Sequence, residues 1–240
     1  MAALRGEVIL RTALTDDDIL RMYNLMLGYF ADVDRAQFEG DLREKTWVIQ
    51  LRDFETGFIH GFTTLCLMED VVQGLPVRAV FSGDTIIERP YWGSFALERT
   101  WIQFISAQVQ AAPQCRWFWF LICKGYRTYS YLPVYFQRYY PSPLPTPSFE
   151  QTVLDTLAFS RFGARYDQQS GIIRSANDYR LLPGVGDITA LVRLDPRIAF
   201  FEEKNPGWVD GDELACLVEL HPDNYRPTTL RMLGHQGALC

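Results

Sequence analysis

Polar and apolar residues alternate from Glu7 to Arg11, which predicts a short strand. Thr15-Asp16-Asp17-Asp18 then offers a cap residue with an acid three positions on, the signature of a helix start. Ile19, Met22, Tyr23, Met26, Leu27 and Phe30 follow at helical spacing. Asp34 with Gln37 opens a second helix, with Phe38 and Leu42 on its inner side. Trp47 to Leu51 and Phe58 to Met68 predict a hairpin around the turn at Asp53 to Gly57. After the Gln73-Gly74-Leu75-Pro76 turn, a long third strand is expected from Val77 to Ile87.

Beyond Arg89-Pro90 the period changes. Phe95, Ile102, Ile105 and Val109 recur at helical spacing, with Leu97, Trp101 and Phe104 on a neighbouring face, so this helix is expected to be buried on a wide side. Trp117 to Cys123 is an unbroken apolar run between Arg116 and Lys124, which fits a central strand covered on both faces. The tyrosine-rich stretch from Tyr126 to Tyr140 predicts a helix that starts or kinks near Pro133. Pro141 to Pro147 reads as a linker, with Thr146-Pro147 starting a further helix that Gly163 can stop. Ala164 to Arg174 suggests a closing hairpin. From Leu181 on the pattern weakens to a short helix after Asp195-Pro196, a strand from Glu213 to Leu220 and a helical turn from Thr228 to Leu233.

Composition narrows the class. With 48% hydrophobic and 14% aromatic residues among 240, the chain has the material for one large core. A net charge of −6 gives no overall affinity for nucleic acid. No apolar run approaches the ~20 residues that span a bilayer. The stretch Met1 to Gly6 lacks a signal-peptide apolar region, so a cytoplasmic protein that binds neither membrane nor nucleic acid is expected. Cys66, Cys115, Cys123, Cys216 and Cys240 are scattered and form no C-x-x-C pair, which points away from zinc and from a disulfide framework. Cys66 and Cys123 lie inside apolar runs and read as small buried hydrophobes. His60, beside Gly61, reads as a hydrogen-bonded histidine, while His221 and His235 are too far apart to suggest a metal site.

The order of strand, two helices, three-strand meander, helix, strand and helix resembles the core of the GNAT acyltransferase superfamily. The likeness runs from about Glu7 to Arg174. It implies an α/β (α+β) fold with a mixed central sheet, a splayed strand pair and flanking helices. It also implies a division into a core at 1–176 and a C-terminal extension at 177–240, packed on the core as a lid or dimer element. In that family a loop and helix after the third meander strand bind the donor's pyrophosphate on helix N–H groups. Here Thr85-Ile86-Ile87-Glu88-Arg89-Pro90-Tyr91-Trp92-Gly93-Ser94-Phe95-Ala96 stands in that place. The family pattern is Arg or Gln, two residues, Gly, one residue, then Gly or Ala. Arg89 lies four positions before Gly93, Ala96 three after it, and Trp92 and Phe95 add bulk. This departure leaves open whether the donor is free coenzyme A or a pantetheine on an acyl-carrier protein.

The resemblance further implies that the pantetheine inserts between the third meander strand and Trp117 to Cys123, so that Ile86, Ile87, Arg89, Trp92, Gly93, Ser94, Phe95, Ala96, Ile122 and Cys123 are expected donor contacts. A tyrosine on the next helix would protonate the leaving thiolate, and Tyr135 followed by Tyr131 stands nearest that place. Strand alternation puts Arg78, Ser82, Asp84 and Glu88 on one face if no bulge intervenes, which makes Asp84 and Glu88 candidate bases. The expected activity is transfer of an acyl group from a pantetheine thioester to an amine of a small molecule, without a metal. Two other readings are a non-catalytic module that binds a thioester or a protein, and a nucleic-acid platform built on Lys124, Arg127 and Arg138. A nucleophilic Cys123 activated by Lys124 is a further, minor reading.

Overall fold

The computed structural model describes residues 3–175 and 179–234. His235, Cys240 and the expected division after residue 176 therefore lie outside the described residues. Strand β1 (Leu4–Leu10) is followed by α1 (Asp16–Leu27), β2 (Phe30–Ala31) and α2 (Arg35–Arg43). The meander is β3 (Trp47–Asp53), β4 (Ile59–Val72) and β5 (Leu75–Ile87). Next come α3 (Ala96–Ala111), β6 (Arg116–Cys123), two short helices α4 (Tyr126–Tyr129) and α5 (Tyr131–Tyr135), and α6 (Ser148–Phe162). The chain ends with β7 (Tyr166–Asp167), β8 (Ile172–Ile173), β9 (Arg180–Leu181), α7 (Pro196–Lys204), β10 (Glu213–Glu219) and α8 (Pro227–Met232).

Local chemistry places these elements. Thr15 and Asp18 close a reciprocal capping box at the start of α1, and Asp34 caps α2 by accepting from the Gln37 amide. Gly163 ends α6 with φ at +54°. The expected helix around Pro133 is instead two short turns, since Ser130 both ends α4 and begins α5, and Phe136 turns extended directly after Tyr135.

The main sheet has eight strands in the order β1-β3-β4-β5-β6-β10-β8-β7. Only β5 and β6 among them run parallel; the other pairs are antiparallel. Helix α3 covers one face through Leu97, Trp101, Ile102 and Ile105, where the Trp101 and Trp119 rings lie 4.5 Å apart. The other face is covered by α6 through Val153, Leu154 and Leu157, and by α1 and α2 through Met22, Met26 and Phe38. This is the mixed α/β architecture expected from the sequence.

Strand β10 lies inside the sheet between β6 and β8, pairing Leu214 with Cys123 and Glu219 with Phe118. A strand as apolar as β6 needs a partner on each edge, and the run from Leu214 to Val218 supplies the second one, fully buried. One expectation, concerning β5, is corrected. Thr63 pairs with Thr85 but Leu65 pairs with Ser82, so β5 carries one extra residue around Gly83 and Asp84. This bulge reverses the alternation beyond it. Ser82 points toward α3 and accepts from the Trp119 indole at 2.9 Å, whereas Asp84 turns to the opposite face.

Glu88, expected as a base, has a structural position. It accepts from Arg21 of α1 at 2.8 Å and pairs with His60 Nδ1 of β4 at 2.6 Å. These contacts tie the end of β5 to its neighbours. Burial pushes the Glu88 carboxyl up, but the bonds from His60 and Arg21 outweigh it and hold the group below its ordinary value. A carboxyl depressed by folding adds stability above its unfolded-state value and loses that contribution as pH falls through the folded-state value. Glu88→Gln should therefore lower the denaturant midpoint at neutral pH. The gap to the parent protein should narrow as pH falls through the carboxylate range, as followed by chemical unfolding at a series of pH values. A gap that widens toward acid pH would contradict this role.

Candidate active site between the diverging strands

The parallel pair β5–β6 is hydrogen-bonded from Val77–Arg116 only as far as Ser82–Leu121. Past that point the strands part. The outer edge of β5 stays paired with β4 through Thr85, Ile86 and Ile87. The outer edge of β6 stays paired with β10 through Ile122 and Cys123. The inner edges, around Gly83 to Ile87 and Ile122 to Gly125, face each other across an opening. Strand edges of this kind present backbone donors and acceptors to whatever enters.

Cavities open on both sides of this gap. On the α3 side a cleft of about 470 Å³ is bounded by Thr85 to Ile87, by Trp92 to Ser94, and by the turn from Lys124 to Thr128 with Tyr131 and Tyr135. Leu181, Val185 and Gly186 close its outer rim. On the opposite side a cavity of about 190 Å³ gathers Asp41, Lys45, Asp84, Lys124, Arg161 and Tyr179. Thr85, Lys124 and Thr128 border both cavities, so the two meet at the fork.

The expected donor contacts divide accordingly. Ile86, Ile87, Trp92, Gly93 and Ser94 line the α3-side cleft. Ile122 lines the opposite cavity and the floor between them. Arg89, Phe95, Ala96 and Cys123 do not line the cleft. Arg89 donates to the Gly184 carbonyl at 3.1 Å and stacks 5.5 Å over the Trp92 ring. Phe95 and Ala96 stand at the α3 start, where Phe95 is the N-cap residue and points outward. Trp92 itself donates to the Ile87 carbonyl at 2.7 Å and carries Arg127 at 4.3 Å on its ring. Arg127 thus brings a cation to the edge of the cleft near the start of α3. Gly93, at φ +90°, makes the turn before that helix in a conformation that other residues adopt at a cost.

Cys123 is fully buried against Cys216, and burial pushes its thiol well above the ordinary value, so Lys124 does not activate it. The Lys124 ammonium instead donates to the Tyr179 carbonyl at 2.7 Å and lies 3.8 Å from Glu213. His60 is hydrogen-bonded, as expected, to Glu88.

Tyr131 and Tyr135 both reach the cleft, with rings stacked 6.2 Å apart. Burial, reinforced by nearby Glu98, pushes both phenols up, so they stay protonated throughout the neutral range. Asp84 faces Asp41 and Lys45 in the opposite cavity. Burial, with the Asp84 charge added, pushes the Asp41 carboxyl up against the pull of Lys45. Lys45 is itself buried and donates to the Asp41 carbonyl at 3.2 Å. Its chain runs past Gly83, where a Cβ would meet Thr64 Oγ1 at 2.7 Å and Lys45 Cε at 2.9 Å. The bulge therefore needs glycine.

Sequence reasoning did not single out Asp41, Lys45, Thr128 or Glu98 for this site. Glu98 had a readable signal: it shares the α3 stripe with Trp101, Ile102 and Ile105, an acid inside an apolar face. Asp41 and Lys45 had none, because only the fold brings α2 against the β5 bulge.

No family model matches the sequence, and no curated protein matches it. Several solved structures are similar to the chain. One is a GNAT family N-acetyltransferase from Escherichia coli in complex with CoA: 20% identical, covering 55% of this chain and 69% of that one, TM-score 0.36. A second is glucosamine-6-phosphate N-acetyltransferase from Arabidopsis thaliana: 11% identical, 60% and 98% covered, TM-score 0.39. A third is Saccharomyces cerevisiae N-myristoyltransferase with bound myristoyl-CoA: 16% identical, 50% and 31% covered, TM-score 0.38.

Proposed function

We propose that the chain is an acyltransferase that moves an acyl group from a pantetheine thioester to the amine of a small molecule. The observation that carries this reading is the fork itself: two strand edges that part after Ser82 and Leu121, with a cavity on each side meeting at Thr85 and Thr128. A pantetheine arm is an extended chain with amides along it, and it can pair with such edges as an added strand would. Arg127 and the start of α3 suit a donor's phosphates, whether on coenzyme A or on a carrier protein.

The acceptor then enters from the opposite cavity, where Asp41 and Asp84 meet an ammonium group. Asp84 takes a proton from the ammonium, and the free amine attacks the thioester carbonyl carbon. The C–N bond forms as the carbonyl opens to an oxyanion, which N–H groups of the β5 edge stabilise. The C–S bond then breaks, the sulfur leaves with the electron pair, and a cleft tyrosine hydrogen-bonds to it and supplies its proton. The second amine proton leaves to water as the amide forms. Holding the two substrates on opposite sides of one gap is the main contribution of the protein, since orientation alone lowers such barriers substantially.

The first test is ligand-dependent melting. Coenzyme A or a phosphopantetheine thioester at 100 times its Kd should stabilise the fold by about 2.7 kcal/mol. No shift with any pantetheine compound would overturn the assignment.

The second test separates the tyrosines. Tyr→Phe keeps most of the ring packing and removes the proton donor. One of Tyr135→Phe and Tyr131→Phe should lose turnover by about 10²–10⁴-fold, with donor affinity nearly unchanged, and the other should stay near the parent. Thiol release with an amine panel reads this out. Normal turnover in both variants would assign the acid elsewhere.

A further inference from the structure

The cavity opposite the donor cleft holds about 190 Å³, under the ~300 Å³ at which drug-sized ligands begin to fit. It suits a small molecule. Its walls carry both signs of charge: the acids Asp41, Asp84 and Glu213, and the cations Lys45, Lys124, Arg161 and Arg165.

Most of these groups are engaged with the protein. Asp41 accepts from the Tyr179 hydroxyl at 3.3 Å, and Lys45 donates to the Asp41 backbone carbonyl. Arg161 donates to Glu44 at 3.2 Å and lies 4.2 Å over the Phe81 ring. Arg165 donates to the Arg174 carbonyl at 2.9 Å. Two groups stand apart. The half-buried Asp84 makes no side-chain hydrogen bond and no ion pair among the described residues. The Lys124 ammonium gives one hydrogen bond, to the Tyr179 carbonyl at 2.7 Å, and Glu213 at 3.8 Å lies beyond hydrogen-bond reach of it. An ammonium carries three donors, so Lys124 keeps capacity for a further acceptor.

These two charges stand on opposite banks of the fork. The last paired residues are Ser82 and Leu121. Asp84 follows on β5, turned to this side by the bulge, and Lys124 follows directly after β6. Paired strands lie about 4.8 Å apart, and the banks stand wider once the ladder has ended. Asp84 and Lys124 form no ion pair with each other. A gap with a carboxylate on one bank and an ammonium on the other is complementary to a molecule that carries both charges in the reverse order.

Resting on the acyltransfer reading, we propose that the acceptor is an amino carboxylate of the amino-acid type. Its ammonium meets Asp84 on the β5 bank, and its carboxylate meets Lys124 on the β6 bank. Lys124 borders both cavities, so it holds the carboxylate close to the fork and directs the amine toward the donor. Glu213 beside Lys124 favours a carboxylate over a phosphate dianion, whose second charge it would repel. Lys124 selects and orients the acceptor in this arrangement, and takes no proton from it.

The test is a ligand-observed NMR titration of the intact protein, with and without CoA. The probes are the common L-amino acids, each set against its decarboxylated amine and its methyl ester, with phosphoethanolamine as the phosphate arm. At least one amino acid should bind about tenfold to a hundredfold more tightly than its own amine and ester, the worth of a hydrogen bond between charged groups. In Lys124→Met that amino acid should fall to the level of its amine, while the amine itself binds as before. Lys124→Arg, which keeps the charge, should retain most of the preference. Asp84→Asn should weaken amino acid and amine alike. The amine and ester arms need no variant, so a Lys124→Met protein that fails to fold leaves them decisive. Amines that bind as tightly as the amino acids, or a preference that survives in folded Lys124→Met, would overturn the inference and leave acyl transfer to an amine intact. Phosphoethanolamine binding more tightly than every amino acid would overturn the carboxylate. Binding of no amino acid would overturn the inference alone, since the donor reading is judged separately by melting with pantetheine compounds.

Discussion

A sheet that stops pairing halfway along two strands leaves backbone donors and acceptors facing each other across a gap, and those groups need partners. Here the gap lies between β5 beyond Ser82 and β6 beyond Leu121. The rest of the molecule keeps it open. The outer edges are fixed by pairing to β4 and β10, so neither strand can swing inward without breaking an intact ladder. The bulge at Gly83 and Asp84 bends β5 where the opening starts. Glu88 anchors the far end of β5 to Arg21 and His60. At the closed end the Trp101 and Trp119 indoles pack against each other at a tilt, and Trp119 is held by Ser82.

The same bulge separates the chemistry. It turns Asp84 away from the face that carries Ser82, so acids and cations gather in one cavity while the phenols of Tyr131 and Tyr135 and the Arg127 cation border the other. Each cavity has a distinct electrostatic character, and the shared residues Thr85 and Thr128 lie where they join. The division matches a reaction with two substrates that meet end to end.

Much of the fold was legible because its signals are local. The capping box at Thr15, the Asp34 cap, the alternation in the meander and the unbroken run from Trp117 to Cys123 each specify an element from neighbouring residues alone. The place of β10 was not, since a short apolar strand after a weakly patterned stretch says nothing about which edge it joins. The face of Asp84 was misread because one extra residue in β5 inverts every later position, and the sequence shows only a glycine there. The partners of Glu88 were not legible for a related reason: they come from α1 and β4, far away in the chain. Tyr131, Tyr135 and Trp92 were named because the family resemblance gave them a place, and all three line the cleft. Asp41 and Lys45 depend on α2 packing beside the bulge and carry no local mark.

The central claim is that the parted edges of β5 and β6 bind the donor. Backbone amide hydrogen exchange, measured by mass spectrometry with and without a saturating pantetheine thioester, tests it at the groups concerned. Exchange should slow in the segments 83–87 and 122–128 and change little in β1 and β3. Unchanged exchange in both segments at saturation, or protection confined to other parts of the chain, would contradict the account.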